Sequence, residues 1–335
     1  MNIKSLLLGS AAALAAVSGA QAADAIVAAA PEPMEYVRVC DAFGTGYFYI
    51  PGTETCLQIS GGVRFNVQFG EDTYDVAPGG AGDGDWDMAA TAWVGFNAKS
   101  DTELGVLESN IVIWDDISYD GEGSSPYFDE AWLALGGFKA GWFYNWWDSG
   151  IAGETDDLQD TSEFVSAAYT YTADAFSVGV SIDEIDNATT HDIGLSGTVT
   201  GSFGAVTASL LGGYDFDAEE GAVRAILSAG VGPGTFQFAT IYASGQNVYY
   251  DQAEWTLAAA YALKATEKFT ITPAAQYWIN TADAGAGTYF TSDDDWKVGV
   301  TFDYTPVENL LARVAVNYQD SSDNFSGYFR LQRSF

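Results

Sequence analysis

The last eleven residues of the chain, Phe325-Ser-Gly-Tyr-Phe-Arg-Leu-Gln-Arg-Ser-Phe335, follow an alternating pattern that decides the fold. Apolar side chains recur at every second position, and most of the positions between them are polar. Such alternation predicts a β-strand with one apolar and one polar face. A strand of this kind at the chain end is typical of a transmembrane β-barrel, whose last strand closes on its first. We therefore expect Phe329, Leu331 and Phe335 to form a C-terminal assembly signal.

The same alternation recurs along the chain. Residues 57–69, 296–304 and 310–318 each have apolar side chains in one register and mostly polar or small ones in the other. Their length is that of strands that cross a bilayer at a tilt. The fold class predicted is all-β, a transmembrane antiparallel β-barrel of about sixteen strands. We place them near 57–69, 86–98, 103–113, 127–136, 138–147, 163–172, 175–182, 191–200, 204–215, 221–230, 234–243, 253–263, 268–280, 295–304, 309–319 and 325–335.

The connections between these strands alternate between two kinds. One kind is short and built from turn-forming residues, as in Gly136-Gly137 and Gly232-Pro233. The other kind is mostly longer and acidic, as at 148–162 and 281–294. This asymmetry predicts short periplasmic turns at one rim of a barrel and long extracellular loops at the other.

The beginning of the chain has the pattern of an export signal. Lys4 precedes a short apolar stretch, and Ala20-Gln-Ala22 is a small-residue cleavage site. We expect residues 1–22 to be a signal peptide, 23–56 a periplasmic N-terminal segment and 57–335 the transmembrane barrel. In an exported chain, two cysteines such as Cys40 and Cys56 predict one disulfide.

Charge excludes one broad class of function. Twelve Lys and Arg residues against 46 Asp and Glu residues give a net charge of −34. Such a chain cannot neutralise a run of phosphates, so a general nucleic-acid binder is excluded. We expect no cofactor and no metal site, because two cysteines and a distant His191 are too few ligands for one.

The segment between the two cysteines carries a family resemblance. It reads Cys40-Asp-Ala-Phe-Gly-Thr-Gly-Tyr-Phe-Tyr-Ile-Pro-Gly-Thr-Glu-Thr-Cys56-Leu. Together with Pro31-Glu-Pro33 and the closing Arg330-Leu-Gln-Arg-Ser-Phe335, it resembles the major outer-membrane porins of the rhizobial and brucella group of alphaproteobacteria. The resemblance covers the whole chain. It implies a sixteen-stranded homotrimeric general diffusion porin in the Gram-negative outer membrane, with a third long loop folded inward.

The charges then suggest where a constriction lies. If the apolar register faces lipid, a set of basic residues faces the lumen, most of them on strands next to the barrel closure. The third long loop carries a set of acids that would face them. The predicted pore-lining basic residues are Arg64, Arg224, Lys297, Arg313 and Arg330. The predicted constriction-loop acids are Asp148, Glu154, Asp156, Asp157, Asp160 and Glu163.

Several alternatives stay open at this point. The inward arginines could form internal salt bridges, and the loop acids could be a solvated outer surface. Acidic runs such as 293–295 could bind divalent cations near lipopolysaccharide. The barrel could also be a substrate-selective sugar channel or a structural or adhesin barrel with a plugged lumen. An enzyme is disfavoured, because no nucleophile stands out beside His191. The partners we expect are a homotrimer, outer-membrane lipid and lipopolysaccharide, the barrel assembly machinery and small hydrophilic solutes.

Overall fold

The chain forms a closed ring of antiparallel strands. A computed structural model describes residues 38–70, 86–117, 125–187, 190–282 and 289–335. Within these ranges, a short strand β1 (Phe48–Tyr49) precedes sixteen barrel strands. These are β2 (Cys56–Phe69), β3 (Trp86–Thr102), β4 (Gly105–Ile117), β5 (Tyr127–Leu135), β6 (Phe138–Tyr144), β7 (Glu163–Thr172), β8 (Phe176–Asn187), β9 (Thr190–Phe203), β10 (Val206–Asp215), β11 (Glu220–Val231), β12 (Gly234–Ala243), β13 (Ala253–Lys264), β14 (Phe269–Thr281), β15 (Asp295–Val307), β16 (Leu310–Gln319) and β17 (Asn324–Ser334). The predicted sixteen-stranded barrel is confirmed.

The barrel closes through the C-terminal strand. Each barrel strand pairs antiparallel with the next, and β17 pairs with β2, where Leu331 lies opposite Phe65. Beyond β17, the Phe335 N–H donates to the Gly61 carbonyl at 2.9 Å, and the Gly61 N–H donates back at 3.1 Å. The alternating C-terminal stretch therefore removes the last free sheet edge.

The outer face of the barrel is apolar and uncovered. Ile182 and Leu195 pair across β8 and β9, and they are 53% and 43% exposed. The neighbouring Ser181 and Ser196 pair on the opposite face and are buried. Apolar side chains outside and polar ones inside are the reverse of a water-soluble sheet core, and they suit a wall between lipid and an aqueous interior.

Most strand boundaries lie within three residues of those predicted, but β3, β4 and β8 extend four to five residues past their predicted ends at 98, 113 and 182. The pattern predicts a strand over 138–147, but β6 ends at Tyr144 and a 3₁₀ turn follows at Trp146–Asp148. Trp147 is fully buried and stacks on Tyr249 with ring centroids 5.8 Å apart. Its burial draws the chain into the barrel instead of onward along the wall. Among the described residues, no helix has the length and apolar character needed to cross a membrane.

The largest cluster of buried apolar residues lies inside the barrel. Trp147 and Leu158, from the segment between β6 and β7, pack there with Tyr249 and Tyr250 from the β12–β13 connection. Ile241 of the β12 wall belongs to the same cluster. Two loops are thus held inside the ring by apolar contacts.

The N-terminal part of the described chain is fastened to the barrel. Cys40 and Cys56 form the predicted disulfide, with Cα atoms 6.0 Å apart. Within the segment that they enclose, the Tyr47 hydroxyl donates to the Asn97 side-chain oxygen at 2.6 Å. The predicted signal peptide, 1–22, lies outside the described residues.

Candidate functional site

Residues 145–162, here called loop 3, cross the interior of the barrel. The Glu154 N–H donates to the Thr301 hydroxyl on β15 at 3.0 Å. The Asp157 N–H donates to the Gln276 side-chain oxygen on β14 at 2.6 Å, and Gln276 donates back to the Asp157 carbonyl at 2.7 Å. Loop 3 starts at β6, so these bonds fix its tip against the far wall.

One buried arginine holds the base of loop 3. Arg224 on β11 donates to the carbonyls of Trp147, Leu158 and Trp146 at 2.8–3.0 Å and to the Ser149 hydroxyl at 3.0 Å. Its side chain faces inward, as predicted, but the residue is only 1% exposed. Arg224 therefore differs from the expected pore-lining cation, because loop 3 covers it and uses its donors.

A buried carboxylate organises the other side of the loop base. Asp183 on β8 accepts hydrogen bonds from Asn145, Ser166 and Ser181 at 2.9, 2.6 and 2.5 Å. It also accepts one from the Tyr249 hydroxyl at 2.8 Å. A buried ionised group is tolerated when its oxygens are well supplied with donors. This network joins loop 3, two wall strands and the β12–β13 loop.

The tip of loop 3 forms an ion-pair cluster with the wall. The Arg313 guanidinium on β16 contacts the Glu154 carboxylate and is also paired with Asp303 on β15. The Asn317 amide donates to the Glu154 backbone carbonyl at 3.1 Å. Arg313 thus matches the alternative of an internal salt bridge while still joining loop and wall.

Two further predicted cations share this wall and bind amide oxygens. Arg64 on β2 donates to Gln332 at 3.0 Å, and Arg330 on β17 donates to Asn66 at 2.9 Å. Arg330 lies directly opposite Arg313 in the β16–β17 register. The structure therefore brings Arg64, Arg313 and Arg330 to one face of three neighbouring strands.

Lys297 stands apart from those arginines. Its ammonium lies 5.7 Å from the centroid of the Trp278 ring. Both residues line a cavity of about 290 Å³ beside loop 3, and Asp157 lines it as well. One predicted basic residue and one predicted loop acid thus line the same cavity on the β14–β15 wall.

Two other loop acids are partly withdrawn from water. The Ile151 N–H donates to the Asp156 carboxylate at 3.1 Å within the loop. Burial raises the pKa of Asp156 to about 6, despite that hydrogen bond. Burial, together with the negative charges of Asp251 and Asp157, raises the pKa of Asp160 to about 6. Both carboxylates can therefore change charge in mildly acidic solution.

The remaining two predicted acids lie near the two ends of loop 3. Asp148 accepts a hydrogen bond from the Ser162 hydroxyl at 3.3 Å, so it braces the two ends of loop 3. Glu163 is the first residue of β7 and pairs with Tyr144 of β6. Of the six predicted acids, Glu154 is the one that contacts a wall arginine in the described structure.

Sequence reasoning missed several charged and aromatic residues of the inner wall. Lys99 pairs with a carboxylate of β4, and the ammonium of Lys139 lies 4.1 Å from the ring centroid of Trp132. Trp93 and Trp114 stack on each other 5.1 Å apart. Trp93 shares its register with Thr91, Asn97 and Lys99, and the other register holds Met88, Val94 and Phe96, so alternation could have placed its side chain on the inner face. The lysines carried a signal as well, because each lies between apolar or small neighbours.

The histidine is placed on the surface. His191 is exposed, and its Nδ1 lies 4.0 Å from the Glu184 carboxylate. Within the described ranges, no three His, Cys, Asp or Glu side chains converge closely enough to hold a metal ion.

Comparison with known proteins identifies the family of the chain. Residues 24–333 match the Porin_2 family, described as a porin subfamily. The chain is 45% identical to outer membrane protein IIIA of Rhizobium leguminosarum bv. viciae, covering 98% of this chain and 93% of that protein. It is 35% identical to porin Omp2a of Brucella canis over the full length of both. The crystal structure of the outer membrane channel DcaP of Acinetobacter baumannii superposes with a TM-score of 0.62 at 17% identity, covering 86% of this chain and 99% of that one. The chain therefore belongs to the porin subfamily and is a diffusion channel of the outer membrane.

Proposed function

We propose that solutes cross this channel through a constriction between the tip of loop 3 and the basic wall of β2, β16 and β17. The contact between Glu154 and Arg313 carries the proposal, because it sets a loop carboxylate against a wall guanidinium inside the barrel. Arg64 and Arg330 stand on the same face of the wall. Opposed charges across a narrow opening create a transverse field that orients dipolar solutes and separates the paths of cations and anions.

Transport through this constriction is passive and general. The lining offers many hydrogen-bonding groups and both signs of charge, which suits small hydrophilic solutes and ions. The chain as a whole carries 46 acidic and 12 basic residues. Because acids dominate the approaches, the channel has a modest preference for cations.

The channel works as a homotrimer in outer-membrane lipid and lipopolysaccharide. Residues 1–22 are a signal peptide removed on export, and 23–56 stay on the periplasmic side. Phe329, Leu331 and Phe335 form an assembly signal for the barrel assembly machinery. Their exposure on the outside of the closing strand supports this role, because the assembly machinery can bind them before lipid covers them.

No enzymatic activity belongs to this proposal. Catalysis by a barrel hydrolase needs a nucleophile activated by a base. His191 is exposed, and its described charged neighbour is the Glu184 carboxylate. Exchanging His191→Ala should leave conductance unchanged.

The test is a planar-bilayer measurement on the purified protein. We expect large single-channel steps in groups of three and a cation-selective reversal potential across a KCl gradient. Glu154→Gln removes one negative charge at the constriction and should shift the reversal potential toward anions. Glu308→Gln, on the exposed turn between β15 and β16, removes the same charge outside the interior and should change nothing.

Each alternative has its own signature in that measurement. A folded, heat-modifiable barrel without conductance would replace the diffusion channel by a plugged structural or adhesin barrel. Equal reversal potentials for Glu154→Gln and the native protein would keep the channel and refute the constriction at Glu154.

A further inference from the structure

Several aromatic residues that sequence reasoning missed lie along one side of the channel interior. Residues paired across neighbouring strands, or two apart along one strand, share a face of the sheet. Arg64 of β2 lies opposite Gln332, and the next inward residue of β17 is Arg330, whose partner Arg313 contacts loop 3. The Arg64 face of β2 is therefore the channel face.

The same register assigns three tryptophans to the channel face. Gly62, two residues before Arg64, pairs with Trp93 of β3, and Trp93 pairs with Trp114 of β4. Asn110, four residues before Trp114, pairs with Trp132 of β5. The three indoles sit on consecutive strands, and all three residues are partly exposed.

Trp93 and Trp114 form a stacked pair of indoles. Their rings are 19° from parallel with centroids 5.1 Å apart, and the Arg64 guanidinium lies 5.7 and 5.2 Å from the two centroids. A Cβ on Gly62 would come within 2.4 Å of the Trp93 ring. Glycine at this position leaves room for the Trp93 ring beside the β2 backbone.

Trp132 lies farther toward the short-turn rim. It lies level with Asn110, roughly 13 Å along the strand from Trp114 at ~3.3 Å per residue. Its indole N–H donates to Glu130, and the Lys139 ammonium lies 4.1 Å from its ring centroid. Charged groups that can form hydrogen bonds therefore lie beside Trp132, as they do beside the Trp93–Trp114 pair.

Loop 3 leaves this side of the interior open. Its hydrogen bonds to Gln237, Gln276 and Thr301 tie it to β12, β14 and β15. Arg224 ties it to β11, and Arg313 and Asn317 tie its tip to β16. None of these strands is β3, β4 or β5, and β11–β14 lie across the ring from them. A solute passing loop 3 is therefore directed along the tryptophan wall.

We propose that Trp93, Trp114 and Trp132 form a carbohydrate-binding track along this wall, so that oligosaccharides are retained and guided while smaller solutes diffuse past. The inference rests on the proposed diffusion function and assigns a preferred solute class to the same channel. The C–H faces of sugar rings pack on indoles, and their hydroxyls both donate and accept hydrogen bonds.

The charges of this wall favour a neutral ligand over an ionic one. Beside the indoles stand three cations and three carboxylates in alternation. Arg64 and Lys139 would repel a cation, and Glu130 would repel an anion. Asn97 and Asn110 add groups that can both donate and accept. The basic residues are Arg64, Lys99 and Lys139, and the acidic residues are Glu108, Asp116 and Glu130.

The experiment measures block of the open channel by a linear trisaccharide in planar bilayers. A polyethylene glycol of similar hydrodynamic size is the size control, because it lacks flat ring faces. We expect the trisaccharide to interrupt the current in a saturable manner that the glycol does not reproduce. Trp114→Ala and Trp132→Ala should each weaken the block on the order of tenfold, while Trp114→Phe retains most of it.

A matched variant and a second readout separate the possible failures. Trp255→Ala removes an exposed tryptophan of the outer face and should leave the block unchanged. Heat modifiability confirms that each variant is folded. The trisaccharide should also shift the intrinsic tryptophan emission of the native protein and shift it less in Trp114→Ala.

The outcomes are distinct. An open channel that trisaccharide and glycol block alike overturns the track and keeps the diffusion function, as does an unchanged block in Trp114→Ala. A folded barrel without conductance overturns the diffusion function. In that case the emission titration decides the track, and an emission spectrum unaffected by sugar overturns it.

Discussion

The Nη1 atom of Arg224 on β11 lies 2.8 Å from the carbonyl oxygen of Leu158 and 2.9 Å from that of Trp147. These carbonyls belong to the returning and outgoing arms of loop 3, so one guanidinium closes the base of the loop. A buried carbonyl left without a donor costs about 1–3 kcal/mol. Arg224 therefore ties the two arms of loop 3 together at its base.

Replacing Arg224 should loosen loop 3 without unfolding the barrel. Arg224→Met leaves the carbonyls unpaired but also removes the cost of burying a charge, so we expect a net loss of about 2–4 kcal/mol in loop attachment. The measurements are open-channel current noise and the rate of proteolytic cleavage within 145–162, both of which should rise. Arg224→Lys should behave as an intermediate, since an ammonium cannot serve four acceptors at once.

Arg333→Met is the control for lost charge, because Arg333 is exposed on the closing strand and lies far from loop 3 along the chain. Its noise and cleavage rate should equal those of the native protein. A quiet, protease-resistant Arg224→Met channel would show that the apolar contacts of Trp147 and Leu158 hold the loop by themselves.

Acidification should reduce the cation preference of the channel. Burial raises the pKa of Asp156 and of Asp160 to about 6 from an ordinary value of 3.8. Both carboxylates gain protons as pH falls from 7 to 5, and the interior then loses up to two negative charges. The reversal potential in a KCl gradient should move toward anions over this interval. Asp156→Asn with Asp160→Asn should flatten that dependence, whereas Asp174→Asn on the exposed β7–β8 turn should leave it intact.

The same two groups predict the sign of the effect on stability. Their folded-state pKa lies above the unfolded value, so the folded protein binds more protons between about pH 4 and 6. The stabilisation is complete below the unfolded pKa and is lost as pH rises through 6. The denaturant concentration at the unfolding midpoint should therefore fall between pH 5 and pH 7 for the native protein. It should fall by less for the double Asn variant.

Alternation predicted the barrel because each strand has one face in lipid and one in the interior. Where that contrast is strong, as in β2, predicted and observed boundaries differ by one residue: 57–69 against Cys56–Phe69. The pattern failed at Trp146–Trp147, where apolar side chains continue past the end of the strand. Trp147 is buried against Tyr249, which lies about a hundred positions along the chain, and no local pattern reports such a contact.

The sequence predicted which charged residues face the interior, but it did not predict which groups they bind. The inward direction of Arg64, Arg313 and Arg330 follows from register alone. That Arg224 is covered by loop 3 depends on how the loop folds, which sequence spacing does not determine. Trp93 was missed for a different reason, because it is an apolar side chain in the polar register of Thr91 and Asn97 and so departs from the simple contrast between the two faces.

A close approach to glycine should fix the β12–β13 loop. Tyr249 lies over Gly213 of β10, where an added Cβ would meet the ring at 2.5 Å. Gly213→Ala should displace this loop and cost about 1–3 kcal/mol, as overpacking does. In a Tyr249→Ala background the cost should vanish, which a double-mutant cycle on unfolding free energies measures. Gly230→Ala, with no atom within 4 Å of the new methyl group, is the matched control. Equal costs at the two glycines would refute the close-contact explanation.

Reduction of the disulfide should destabilise the N-terminal segment more than the barrel. Cys40 and Cys56 are 16 positions apart, and a loop of this size is worth about 3 kcal/mol in the chain-entropy model. Without the bond, the segment retains the Tyr47 contact to Asn97, while β2 keeps its pairing with β3 and β17. Cys40→Ser with Cys56→Ser should therefore still give a heat-modifiable barrel of native conductance, with faster amide hydrogen exchange over 40–56 and a lower unfolding temperature. Native exchange rates in the double Ser variant would show that packing around Tyr47 holds the segment without the bond, whereas loss of the barrel itself would show that the disulfide is needed to start closure at β2.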